Sequence, residues 1–123
     1  METKEKSPMH VFQAFGQGLQ SGTDAWKEVV SEDVTFHGPV DQISGLNAFA
    51  KLNASFMPMI RRFDMKRMVE SGNYVITQVE MDVAMPSGKT VTLDISEWYE
   101  IMDGKIQNIK IYYDADEFRK EIA

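Results

Sequence analysis

The chain has no cysteine. Disulfides, thiolate nucleophiles and cysteine-held metals are therefore excluded. Histidine is scarce too, with His10 and His37 far apart and no close-spaced ligand pair, so no metal site is expected. Excess positive charge is also missing: the net charge is −6, and such a surface repels nucleic acid unless basic residues cluster. The one cluster, RRFDMKR at 61–67, is divided by strand alternation between two faces, so no nucleic-acid partner is expected. No apolar run approaches the roughly 18 residues of a membrane span. The opening METKEKSPMH has no apolar stretch of the signal-peptide kind. There is no phosphate-cradling glycine loop and no G-x-S-x-G turn. These absences leave a cytoplasmic protein with no membrane partner and no cofactor as the expectation.

What is present suits one modest core: 123 residues, 43% of them apolar. Residues 1–7 read as a disordered tail and 8–123 as a single domain. Ser7-Pro8 is a helix start, a capping hydroxyl followed by a residue with no backbone donor to satisfy. Val11, Phe12, Phe15 and Leu19 follow at helical spacing, and Gly22 ends the run. Gly16 and Gly18 weaken this helix by about 1 kcal/mol each. Thr23 caps a short second helix with Trp26, Val29 and Val30 on its buried side. DVTFHGP at 33–39 is a short strand. Ser44 caps a third helix whose face is Leu46, Phe49, Phe56 and Ile60, with Pro58 kinking or ending it.

The period then changes from helical to alternating. Strands are predicted near 62–70, 74–85, 89–102 and 105–114, punctuated by SGN, PSGK and DGK. DADEFRKEI closes the chain as a short helix. Helices first and a meander second imply an α+β fold, with the helices covering the apolar sheet face. Along TVTLDISEWYEI that face carries Val91, Leu93, Ile95, Tyr99 and Ile101, with Glu97 among them. A carboxylate in an apolar row needs a partner or a raised pKa. Trp98 lies on the opposite, outer row with Thr92, Asp94, Ser96 and Glu100, which suggests a partner surface there.

SGTDAWKEVVSEDVTFHGPVDQISGLNAFAKL, followed by WYEIMDGKIQNIKIYYDADEF, resembles the SnoaL-like group of the nuclear transport factor 2-like superfamily. That group includes polyketide cyclases and sits near ketosteroid isomerase. The likeness spans roughly residues 8–118 and rests on SEDVTF before Gly38-Pro39 and on DGKI before Tyr113-Asp114. It implies a cystatin-like cone, with three N-terminal helices packed into the concave face of a curved, mainly antiparallel sheet and a pocket at the open end. It also implies that dimers are common. Residue by residue, the isomerase base falls on Gly38, preceded by His37, and the isomerase tyrosine of the first helix falls on Phe15. Both departures speak against steroid isomerisation. The third isomerase acid falls on Glu97.

The expected site follows. Glu97 and His37 are the candidate catalytic residues, with His37 either a base beside the missing carboxylate or a rim residue. Phe15, Phe36, Phe56, Arg67, Met81, Tyr99 and Tyr113 are the candidate ligand contacts. Arg67, placed opposite Thr77, is the expected partner of Glu97 across roughly 10 Å, two strand spacings. Lys110 takes that place if the DGK turn has two residues, whereas a bulge at Gly104 sends Ile109, Ile111 and Tyr113 inward. The expected ligand is a small apolar molecule. The chain is either a cofactor-independent acid/base enzyme of isomerase, cyclase, dehydratase or hydrolase type, or a binding or dimerisation module without turnover. The expected homodimer uses the outer sheet face at Trp98.

Overall fold

The computed structural model describes residues 7–122. Of the tail expected at 1–7, residues 1–6 lie outside the described residues. Ser7 is the N-cap of helix α1 (Pro8–Ser21), its hydroxyl accepting from the His10 N–H at 3.2 Å. Gly22, at φ 72°, closes that helix from the left-handed region that glycine adopts without strain. A 3-10 turn, Ala25–Val29, follows. Its N-cap is Asp24 rather than Thr23, whose hydroxyl instead accepts from the Ala25 N–H. Gly18 earns its place here, because a Cβ on it would stand 2.7 Å from the Trp26 backbone nitrogen. The turn carrying Trp26 is packed directly on α1.

Strand β1 (Val30–His37) begins earlier than its sequence pattern indicates. A three-residue strand that the pattern does not reveal, β2 (Gln42–Ser44), pairs with it antiparallel. Ser44 is thus a strand residue, and Gly45 is the N-cap of α2 (Leu46–Phe56). Pro58 ends α2 by opening the 3-10 turn Met57–Met59. Then come β3 (Ile60–Ser71), β4 (Tyr74–Ala84), β5 (Thr90–Met102), β6 (Lys105–Tyr112) and α3 (Asp116–Ile122). The sheet order is β2-β1-β6-β5-β4-β3, with β1 and β6 parallel and every other pair antiparallel. The sheet is curved, and the helices pack against it as an α+β cone.

Two turns set which residues face inward. Between β3 and β4, Ser71 pairs with Tyr74, so the connection is Gly72-Asn73 alone. Met68 then pairs with Thr77, and Arg67 with Gln78. A slip of one residue exchanges sheet faces. Arg67, expected to face inward opposite Thr77, therefore lies on the convex side. Between β5 and β6 the turn is also two residues, Asp103 and Gly104, at φ 57° and 71°. Left to itself this turn would send Lys110 inward. The register shifts between Glu100 and Ile101, leaving Gln107 as the extra residue, and that bulge restores Ile109 and Ile111 to the concave side. The inward set is thus the one expected from a bulge at Gly104, but the bulge lies at Gln107.

Apolar side chains fill the cone in two connected groups. One joins α1, Trp26 and α2 to the sheet through Val11, Phe15, Trp26, Val34, Phe49 and Ile106. The other lies along β4 and β5, where Val79, Val83, Val91 and Leu93 are covered by Phe118 of α3.

Candidate functional site

Between α1, α2 and the concave sheet lies a cavity of about 820 Å³. Its wall is mostly apolar, and Phe12, Phe15, Phe36, Phe49, Phe56, Met65 and Met81 all contribute. Phe15 stands among other rings, with centroids 6.0 Å from Trp26 and Tyr99 and 6.2 Å from Phe49. Phe12 meets Tyr99 edge-on at 4.8 Å. Met57, Phe63 and Met68 line the cavity and also reach solvent, Phe63 being 52% exposed. They mark its mouth, between the turn after α2 and the edge strand β3.

The polar centre of this wall is Glu97. Thr77, one strand away and 1% exposed, donates its hydroxyl to Glu97 Oε1 at 2.7 Å. The Tyr99 phenol lies on the same inward row two residues on and lines the cavity beside the carboxyl group. Glu97 keeps some accessible surface, but it opens on the cavity rather than on bulk water. Loss of hydration pushes its pKa up, and the neighbouring Thr77 and Tyr99 hydroxyls only partly oppose this. Burial and the adjacent carboxyl push the Tyr99 phenol well up, so Tyr99 stays a hydrogen-bond donor. Among the described residues no cation forms an ion pair with Glu97. Lys110 pairs with Trp98 on the convex side and is exposed there.

The cavity brings together Glu97, Phe15, Phe36, Phe56, Met81, Tyr99 and Tyr113. Two expected members are elsewhere. Arg67 borders a smaller convex-face pocket with Val69, Ile76 and Tyr112. His37 follows the inward Phe36 on β1 and so alternates outward, pairing with Lys110 in register and placing Nδ1 2.7 Å from Gln42 Nε2. It is not a base facing the cavity. Gly38 does border the cavity, but a Cβ there would stand 3.0 Å from Ile111 Cγ1. A carboxylate side chain at that position would have to displace Ile111.

Asn53 was not expected. Its side chain forms part of the wall, and its Nδ2 is buried without a hydrogen-bond partner. The sequence held a signal for it: Leu46, Phe49, Asn53 and Phe56 fall at helical spacing, so Asn53 interrupts an apolar stripe as Glu97 does. Tyr113 sits at the end under α3, its pKa raised by burial and by nearby Asp41, with Arg119 acting in the other direction. The described residues include no group of acids and histidines suited to a metal, and no helix long and apolar enough to cross a membrane.

The model of the SnoaL-like domain matches residues 10–109. The chain belongs to the SnoaL-like family. No curated protein matches this SnoaL-like sequence. Among solved structures it is similar to an NTF2-like protein of unknown function from Cytophaga hutchinsonii, at 22% identity and a TM-score of 0.77, over 97% of this chain and 99% of that one. It is similar to TerC, co-crystallised with polyporic acid, at 17% identity and a TM-score of 0.76, over 94% and 97% of the two chains. A putative SnoaL-like polyketide cyclase from Mesorhizobium loti is similar at 18% identity and a TM-score of 0.74, over 88% and 100%. At these identities the likeness establishes the cone of this SnoaL-like protein and leaves its chemistry to the residues in the cavity.

Proposed function

We propose that this SnoaL-like protein takes a small, largely apolar molecule into the cone and that Glu97 moves a proton on it. The reaction is cofactor-independent and of the isomerase, cyclase, dehydratase or hydrolase kind. The observation that carries this reading is a carboxyl group in an apolar cavity, held by the Thr77 hydroxyl, with the Tyr99 phenol beside it and no cation paired to it among the described residues. A carboxyl with a raised pKa exchanges its proton nearer neutral pH than an ordinary one does. Tyr99 supplies a second donor beside it. With His37 outside and Gly38 in place of a carboxylate, Glu97 acts alone or returns the proton it took. The steroid isomerase arrangement is therefore not proposed.

Binding without turnover is the second reading. It is favoured by the want of a second titrating base beside Glu97 among the residues expected to be catalytic. One set of measurements separates the two. Native mass spectrometry of freshly purified protein should reveal a co-purified apolar molecule. Glu97→Gln should keep the bound molecule and abolish its conversion if Glu97 transfers a proton. A chain that returns its ligand unchanged in both forms supports binding alone. Failure to retain any apolar molecule would remove both readings.

A further inference from the structure

We infer that Asn53 orients the ligand, and that the ligand is an uncharged apolar frame bearing an oxygen that accepts a hydrogen bond from the Asn53 amide. The inference rests on the apolar-ligand reading above and adds a second recognition point to it. Asn53 Nδ2 is the one buried side-chain nitrogen or oxygen without a partner among the described residues. Folded proteins seldom leave such a donor unmade, because the water it gave up is not replaced. The position makes the cost plainer. Asn53 occupies the cavity-facing stripe of α2, between Phe49 and Phe56, where leucine would suit both the helix and the apolar wall better. As placed, Nδ2 has almost no accessible surface and is turned away from the cavity, so a turn of the amide about its terminal torsion is what brings the donor to the lining, where the cavity's occupant is the available source of an acceptor.

The acceptor has to be uncharged. The cavity already holds the Glu97 carboxyl and, at the α3 end, Asp41, and it presents no inward Lys or Arg to balance an anion. A carbonyl, ether or hydroxyl oxygen meets the need. The Asn53 amide swings about one terminal torsion, and the flexible Met57, Met65 and Met68 share the cavity lining, so the donor can follow an occupant. Glu97 and Tyr99 lie on β5 while Asn53 lies on α2, so the two polar points come from opposite walls and fix the orientation of a flat molecule between them.

A matched pair of probes tests this: 2-acetonaphthone, which carries one carbonyl, and 2-isopropylnaphthalene, which has the same shape without it. The native protein should bind the ketone about tenfold more tightly, the discrimination expected of one hydrogen bond to an otherwise unpaired buried donor. Asn53→Leu should bring the ratio close to one, and Asn53→Asp, which offers an acceptor instead, should favour the hydrocarbon. Without ligand, Asn53→Leu should melt higher than the native chain, because its unpaired donor is gone. An undiminished ketone preference in Asn53→Leu and Asn53→Asp overturns the inference. So does a preference lost only in Glu97→Leu, which would send the oxygen to Glu97. A lower melting temperature for ligand-free Asn53→Leu would also overturn it, by revealing a structural partner. If the native protein binds both probes equally, the apolar-ligand reading stands and the orienting role falls. If it binds neither, both fall.

Discussion

At the scale of single residues, Glu97 has a consequence that needs no ligand. Its carboxyl is easier to ionise in the unfolded chain than in the cone, where burial raises its pKa above the ordinary 4.5. Between the unfolded and folded values the native state holds more protons than the unfolded one. Stability therefore falls as pH rises through that window. The contribution is fully present below the unfolded pKa and is lost once pH passes the folded one. Asp64 and Asp82 work in the opposite direction, lowered by Lys66 and by Arg62 respectively, but both lie on the outer sheet face and are common to any variant at Glu97. Subtraction isolates Glu97. Melting temperatures of native protein and Glu97→Gln, taken from pH 4 to 8, should match best at the acid end. The native chain should then lose ground steadily as pH rises. Parallel curves would mean that Glu97 ionises normally and that the cavity is wet. The alternation that put Glu97 inside was readable in TVTLDISEWYEI, because a period of two is a local property. What the sequence did not reveal was the absence of a cation, since that depends on the register of a neighbouring strand.

At the scale of elements, register and close approach decide what the pattern leaves open. The strands were legible because apolar alternation is strong in β4 and β5. The place of Arg67 was not, because whether Ser71 belongs to the turn or to the ladder is decided by a single pairing with Tyr74. β2 was not legible either, since three residues are too few to show a period. The two glycines of α1 look alike in the sequence and differ in the fold. A Cβ at Gly18 would meet backbone and Cβ atoms of Trp26 at 2.7–2.8 Å, whereas one at Gly16 would meet nothing within 4 Å. Backbone atoms cannot move aside as a side-chain end can. Gly18→Ala should thus lose about 2–3 kcal/mol, the upper part of the range for overpacking because backbone has to shift, and this exceeds the roughly 1 kcal/mol regained in helix propensity. Gly16→Ala keeps the gain without the clash and should be stabilising by up to about 1 kcal/mol. Urea denaturation of the two variants should move their midpoints in opposite directions. A Gly18→Ala protein as stable as the native one would mean that the Trp26 turn is not seated on α1 as described.

At the scale of the whole molecule, the convex face of the sheet remains to be accounted for, and we propose that a second copy of the chain covers it. The face has two unlike halves. Toward one end Arg62, Asp64, Lys66, Glu80 and Asp82 form a ladder of ion pairs that satisfies its own charges and needs no partner. Toward the other, Val69 pairs with Ile76 and Ile76 with Trp98, and Tyr112 stands beside them. Val69 is 52% exposed, Trp98 40% and Tyr112 56%. Trp98 is also held in place, with its indole N–H on Ser96 Oγ and its ring edge-on to Tyr74 at 6.1 Å, so burying it costs little side-chain freedom. Joining through sheet edges is the competing arrangement. It is disfavoured because edge strand β3 is bulged where its register shifts, between Ile60 and Arg62 and between Met65 and Arg67, and the other edge, β2, has three residues. A two-fold contact between convex faces lays apolar row against apolar row and leaves both charged ladders toward the rim. Covering Trp98 contributes about 1.5–3 kcal/mol. Sedimentation at micromolar concentration should therefore show a dimer. Trp98→Glu should give a monomer, and Trp98→Ala should weaken association roughly tenfold or more. Phe63→Ser is the matched control: Phe63 is as exposed as Trp98 or more so, but it stands at the cavity mouth on the opposite face, and its loss should leave association unchanged. A monomeric native chain would remove the interface, and a dimer that survives Trp98→Glu but not Phe63→Ser would move it to the cavity mouth, where two cones would share their openings.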